Sequence, residues 1–116
     1  MRSISCLILL FASVAFGQTY KLRLYNTDDI FTAFISNSVY TNQQILQATF
    51  NTDTGLTDIS SYIQPGTNTI TYSLFNSVGG YTYGFDLQVN GTSVDSGICG
   101  TTNVFGCNAK IGRAHV

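Results

Sequence analysis

The sequence predicts a small, all-β, antiparallel sandwich. Three observations carry this. Helix formers are scarce: Glu is absent and Thr, Ser, Tyr, Phe and Ile dominate the chain, a composition that favours strands over helices. Short stretches of period-2 alternation recur along the sequence and are separated by turn-forming residues. Asn90-Gly91 sits between two such stretches and is a strong hairpin signal, because both central residues of a type I′ turn require positive φ. Short strands with turns at this spacing make a sandwich or a barrel.

The elements follow in chain order. Residues 1–17, "MRSISCLILLFASVAFG", have a basic start at Arg2, an apolar run and small residues Ala15 and Gly17, the pattern of a secretory signal peptide. The run is shorter than the roughly 20 residues of a membrane span. The expectation is a secreted, extracellular chain with no membrane span after its removal. A single domain over 18–108 follows, near the size that one sandwich requires.

In "YKLRLYN", Tyr20, Leu22 and Leu24 share one face, opposite Lys21 and Arg23. "DIFTAFISN" is apolar on both parities, as in a strand covered on two sides or interrupted by a bulge. "ILQATF" sets Leu46, Ala48 and Phe50 against Ile45, Gln47 and Thr49. "NTITYSLFN" sets Ile70, Tyr72 and Leu74 against Thr69, Thr71, Ser73 and Phe75. "YTYGFDLQV" sets Tyr81, Tyr83, Phe85, Leu87 and Val89 against Thr82, Gly84, Asp86 and Gln88, before the turn leads into "TSVDSG".

The last residues, "IGRAHV" at 111–116, are basic in a chain otherwise nearly free of cations. Back-translated as ATC GGA AGA GCA CAC GTC, they read as a sequencing adapter, so 109–116 is expected to be a non-native tail rather than part of the domain.

With the leader gone, Cys99 and Cys107 remain, in "CGTTNVFGC". Their even count in a secreted chain predicts a disulfide; a redox or metal pair is the other reading, and the spacing does not suit it.

The stretch "LTDISSYIQPGTNTITYSLFN", with Asp58-Ile59-Ser60, Tyr62-Ile63, Pro65-Gly66, Asn68 and Ile70, resembles the signature of galactose-binding-like jelly-roll sandwiches, which recur as carbohydrate-binding modules and accessory domains of glycoside hydrolases. "FDLQVNG" followed by "TSV" is similar to that family's closing hairpin. Together these segments cover less than half of the mature chain. The resemblance implies a carbohydrate or glycoprotein partner held by edge loops or by a sheet face, and in many members a structural calcium ion. Each motif residue also has a local role: Asp58 caps the turn it opens, Tyr62 and Ile63 enter the core, Pro65-Gly66 turns the chain and Asn68 bonds that turn.

The chemistry present narrows the function. The lone His115 lies in the suspected tail and the carboxylates, six Asp, are scattered, so no triad, His-based metal site or glycosidase pair is assembled; the chain is expected not to be an enzyme. Nucleic acid is excluded as a partner by the want of clustered Lys and Arg. For sugar binding the candidates are Tyr81 as a stacking ring, Asp86 and Phe75, with Gly84 either leaving room for a ligand or marking a bulge. Tyr83 shares the parity of Phe85 and Leu87 and reads as core. No cofactor is required, but Asp28 and Asp29 are candidate calcium ligands as well as turn formers. Asn90-Gly91-Thr92 is a glycosylation sequon as well as a hairpin tip. Non-catalytic carbohydrate binding is the leading expectation; the alternatives are a structural or adhesion module without a sugar ligand and a fragment of a larger secreted enzyme.

Overall fold

Apolar residues at every second position build strands with one inward face, and two such layers close on each other. The computed structural model describes residues 2–12, 17–76, 81–99 and 114–115, with side chains described for 17–75 and 81–99. The strands are β1 (Arg2–Ala12), β2 (Tyr20–Tyr25), β3 (Ile30–Ser36), β4 (Gln43–Thr49), β5 (Thr57–Asp58), β6 (Gly66–Asn76), β7 (Tyr83–Val89), β8 (Thr92–Cys99) and β9 (Ala114–His115). One sheet has the order β4-β3-β6-β1-β9 and the other β5-β2-β7-β8. Every pairing is antiparallel except β1 with β9. The fold is a small antiparallel β-sandwich, and among the described residues no helix is long and apolar enough to cross a membrane.

The core forms where the two inner faces meet. Leu22 and Leu24 of β2, Phe31, Ala33 and Ile35 of β3, Ile70, Tyr72 and Leu74 of β6, and Tyr83, Phe85 and Leu87 of β7 are all buried. Aromatic rings bridge the layers: Tyr72 stacks on Phe85 with centroids 4.5 Å apart, and Phe31 contacts both Tyr72 and Tyr83 at 5.7 and 5.4 Å. Such ring pairs contribute about 0.5–1.5 kcal/mol each beyond the area they bury. Tyr83 is thus a core residue, as its parity predicts.

The segment between β5 and β6 fastens the two layers. Asp58 Oδ1 accepts from the Ser60 N–H at 2.8 Å and opens a 3-10 turn over Ser60–Tyr62. Ser60 Oγ accepts from the Tyr20 N–H, and the Ile59 N–H donates to the Tyr20 carbonyl, each at 2.8 Å, so this turn anchors the start of β2. Ile59 is fully buried, whereas Tyr62 and Ile63 are half-buried at the margin of the core. After Pro65, Gly66 takes φ 92°, a conformation that side chains beyond glycine rarely adopt.

Two expectations about the strands are revised. The register between β3 and β4 shifts between Ala33 and Phe34, but the extra residue is Ile45 of β4 and β3 pairs with β6 without a break, so β3 itself is not bulged. Phe50, in turn, does not continue the inward parity of Leu46 and Ala48. The strand stops at Thr49, the Thr52 N–H closes a turn onto the Thr49 carbonyl at 3.0 Å, and Asn51 goes left-handed with φ 56°. Phe50 therefore projects from the turn and is 68% exposed. Residues Arg2–Ala12, which fall within the segment read from sequence as a leader, lie as a strand paired along the whole of β6.

Candidate binding faces

With the inner faces consumed by the core, the surfaces left for a ligand are the two outer sheet faces and the loops at the sandwich ends. The sheets differ sharply in charge. In the first sheet β3, β4 and β6 contain no Asp, Glu, Lys or Arg and β1 carries Arg2 at its start, whereas β2, β5, β7 and β8 carry Lys21, Arg23, Asp58, Asp86 and Asp95.

On the charged sheet, Tyr25 pairs with Gly84 and Arg23 with Asp86. The Tyr25 ring covers Gly84 so closely that a Cβ there would lie 2.7 Å from Tyr25 Cε2 and Cζ. The Arg23 guanidinium stands 4.2 Å from the Tyr25 ring centroid and grips Asp53 through Nε and Nη2 at 3.0 and 2.6 Å. Gly84 is therefore the floor under an aromatic ring of its own sheet rather than a gap for ligand. Asp86 accepts from Ser93 Oγ at 2.5 Å and from Gln88 Nε2 at 2.8 Å, bonds that lie within its own hairpin.

The Arg23 hydrogen bond, followed by the Gly55 N–H, holds the Asp53 carboxyl below the usual carboxylate range. Asp95 behaves oppositely. A register shift after Leu87 leaves Asp95 opposite that inward-facing residue, and burial raises its pKa, with the Ser96 N–H opposing. Among the described residues its buried Oδ2 has no hydrogen-bond partner.

The outer face of the uncharged sheet is composed differently. Ile30 and Phe75 pair across β3 and β6 and are 37% and 36% exposed. Thr32 lies opposite Ser73 on one side and Gln47 on the other, and Phe34 lies between Thr71 and Gln44. Phe34 and Phe75 are four residues apart in register, which at about 3.4 Å per residue separates them by about 14 Å along the strands. The intervening surface consists of hydroxyls and side-chain amides. Phe50 extends the apolar end of this face, since its neighbour Thr49 pairs with Ile30.

At that same end the turn of Asp28 and Asp29 meets the segment of Tyr81 and Thr82 that precedes β7. The Asp28 N–H donates to the Thr82 carbonyl at 3.1 Å, Thr82 Oγ1 donates to the Asn26 carbonyl at 2.7 Å, and the Asn51 N–H donates to the Thr27 carbonyl at 2.8 Å. Burial first, and then the neighbouring Asp29 charge, raises the Asp28 pKa. Asp29 is left-handed at φ 55°, which marks the pair as a turn. Among the described residues no three His, Cys, Asp or Glu side chains converge, and two carboxylates from consecutive residues fall short of the six to eight oxygens that calcium takes.

The three sugar-binding candidates are not brought together. Tyr81 is 7% exposed: the alternation of β7 continues past the strand end and turns its ring into the core, so it offers no surface platform. Asp86 is on the outer face of one sheet and Phe75 on that of the other, back to back across the sandwich. The outward rows of β6 and β7, each the polar alternate of its own strand, thus face opposite sides. Phe34, Gln44 and Gln47 join the Phe75 face without having been singled out; the two-sided apolarity of β3 was the signal for Phe34.

Asn90 and Gly91 have φ 52° and 80°, as the type I′ turn demands. Asn90 is exposed, and its Oδ1 accepts from the Thr19 N–H at 2.9 Å. Cys99 is buried at the end of β8; Cys107 and the suspected tail at 109–113 and 116 lie outside the described residues. Compared with known proteins, the chain matches no family model, no curated protein and no solved structure.

Proposed function

We propose that the chain is a secreted, non-catalytic carbohydrate-binding domain of the galactose-binding-like kind, which uses the outer face of its uncharged sheet. The observation that carries this reading is the composition of that face: Phe34 and Phe75 flank a surface of Gln44, Gln47, Thr71 and Ser73, and β3, β4 and β6, the strands that supply it, carry no charge. Sugars are held by apolar rings under their C–H surfaces and by a few polar groups that fix the hydroxyls. A charge-free face suits a neutral glycan over a sulfated or phosphorylated one. The carboxylates support binding over catalysis, since Asp53, Asp58 and Asp86 are each engaged in holding a loop or hairpin. In this reading residues 1–17 are removed on secretion and Cys99 pairs with Cys107.

The test is a glycan array probed with the chain secreted from eukaryotic cells, with its F34A and F75A variants and with I98S. Ile98 is 63% exposed on the opposite sheet and serves as the control. Binding of neutral glycans that falls at least tenfold in F34A and F75A but not in I98S is the expected result. A folded protein that binds no glycan, or binding indifferent to both Phe variants, would refute it. Repeating the array with a calcium chelator reports on Asp28 and Asp29, and peptide mapping without reduction reports on the disulfide.

A further inference from the structure

On the reading that residues 1–17 are a cleaved leader, secretion removes the whole of β1. β6 then keeps β3 on one side and loses its other neighbour along its entire length, because β1 pairs with every residue from Gly66 to Asn76 without a register shift. With β1 in place this strand carries Ile70, Tyr72 and Leu74 into the core with no exposure at all. It has none of the devices that blunt a natural edge: no charged residue, no Pro and no bulge. A long, straight, uncharged edge with open N–H and C=O groups is a template for another strand.

We propose that in the secreted protein this edge pairs with the same edge of a second copy, β6 against β6 in antiparallel register about a two-fold axis through Thr71. β1 already demonstrates that the edge accepts an antiparallel partner over 11 residues. The strand is also complementary to itself. Centred on residue 71, the midpoint of Gly66–Asn76, the register sets Tyr72 opposite Ile70 of the second copy on the core side. On the outer side it sets Ser73 opposite Thr69 and Thr71 opposite itself. Aromatic with β-branched and Thr with Ser or Thr are favourable cross-strand pairs, and with no charge on β6 nothing repels the approach. A two-fold contact of this kind closes after two copies, which prevents the edge from propagating a fibre.

The pairing joins two uncharged sheets into one and makes their outer faces continuous. The two sets of Phe34 and Phe75 then lie on a single surface, so a repeating glycan would meet two equivalent sites and bind with the gain that linked sites give. The pairing itself does not depend on the ligand.

The experiment measures molar mass by light scattering on the chain secreted from eukaryotic cells, with its N-terminus read by mass spectrometry, for the wild type, T71K, T71D and an equimolar mixture of the two variants. Thr71 is half-buried on the outer face, and circular dichroism verifies that each variant folds. The expected result is a dimer for the wild type, monomers for T71K and T71D alone, and a dimer restored on mixing, because in this register position 71 faces only itself. A monomeric wild type, as when the chain's own C-terminal segment fills the edge, overturns the proposal. So does a dimer unaffected by T71K, or a secreted chain that still begins before residue 12. The glycan array is read separately, so loss of sugar binding and loss of pairing are distinguishable.

Discussion

Replacing Asn68 by Ala removes a fully buried polar side chain that ties two loops to β6. Asn68 is 0% exposed. Its Oδ1 accepts from the Gln64 N–H at 3.0 Å and from Asn37 Nδ2 at 2.9 Å, and its Nδ2 donates to the Gln64 carbonyl at 2.8 Å and, more weakly, to the Gly66 carbonyl at 3.3 Å. Asn37 in turn holds the 37–40 turn, accepting from the Val39 and Tyr40 N–H groups. A buried group left without a partner costs about 1–3 kcal/mol. Because these loops lie partly at the surface, some freed groups reach water, and the loss for Asn68→Ala is about 3 kcal/mol. For a domain of this size that lowers Tm by roughly 12–24 °C. Asn68→Asp separates hydrogen bonding from packing: the shape is kept and both donors are still accepted, but a carboxylate oxygen faces two carbonyls in a dry site. Its folded-state pKa is raised above the unfolded value, so this variant should approach wild type at low pH and lose stability as pH rises through that pKa. Urea unfolding followed by far-ultraviolet circular dichroism measures both, since the chain has no Trp. A loss below about 1 kcal/mol for Asn68→Ala, or an Asn68→Asp variant whose deficit does not change with pH, would refute the reasoning.

Three further predictions concern the charged sheet. Gly84→Ala puts a Cβ into the Tyr25 ring and should cost about 1–3 kcal/mol as overpacking does; the cost should shrink when Tyr25→Ala is combined with it, and additive losses would argue against the contact. Asp95→Asn should raise stability near neutral pH by about 1 kcal/mol or less, since it removes a partly buried charge with an unpartnered oxygen. As the folded pKa of Asp95 is raised, the protonated form favours folding, stability declines as pH climbs through that pKa, and the advantage of Asn should vanish in acid. Asp53→Asn should cost less than about 1 kcal/mol, because the Arg23–Asp53 pair is exposed at 39% and 47% and surface ion pairs contribute little; thermal melts at low and high salt would reveal a larger role.

The inward faces were legible in the sequence because alternation has only two phases and the core takes one of them. Leu22 with Leu24, Ile70 with Tyr72 and Leu74, and Tyr83 with Phe85 and Leu87 all went where their parity pointed. The turn residues were legible too, since Asn90-Gly91 act through their own positive φ and Asp58 and Asn68 bond backbone only a few positions away. Phe50 escaped because parity holds only while the strand continues, and nothing in "ATFNTD" says that the turn begins one residue early. Tyr81 followed the opposite course: its parity set it with Tyr83 and Phe85, and the alternation persists beyond the start of β7, so the ring offered as a stacking platform is in the core.

The surface was harder to read, for a reason of geometry. Parity tells which residues point away from the core but not which sheet they point away from, so Phe75 and Asp86 could be offered together as sugar-binding candidates when they lie on opposite sides. Sheet membership is settled by long-range pairing: β6 lies between β3 and β1, while β7 lies between β2 and β8. Once that order is known, a pattern already in the sequence acquires meaning. The strands without charge, β3, β4 and β6, are the ones that lie together, and their rings and amides come from three separate segments of the chain. Burial does not require this segregation, because outward positions on both sheets are free to carry charge. A face that leaves out charge while keeping exposed Phe, Gln and Thr is better matched to a neutral, hydroxyl-rich partner or to its own copy than to water alone, and this links the glycan and pairing proposals to the same strand.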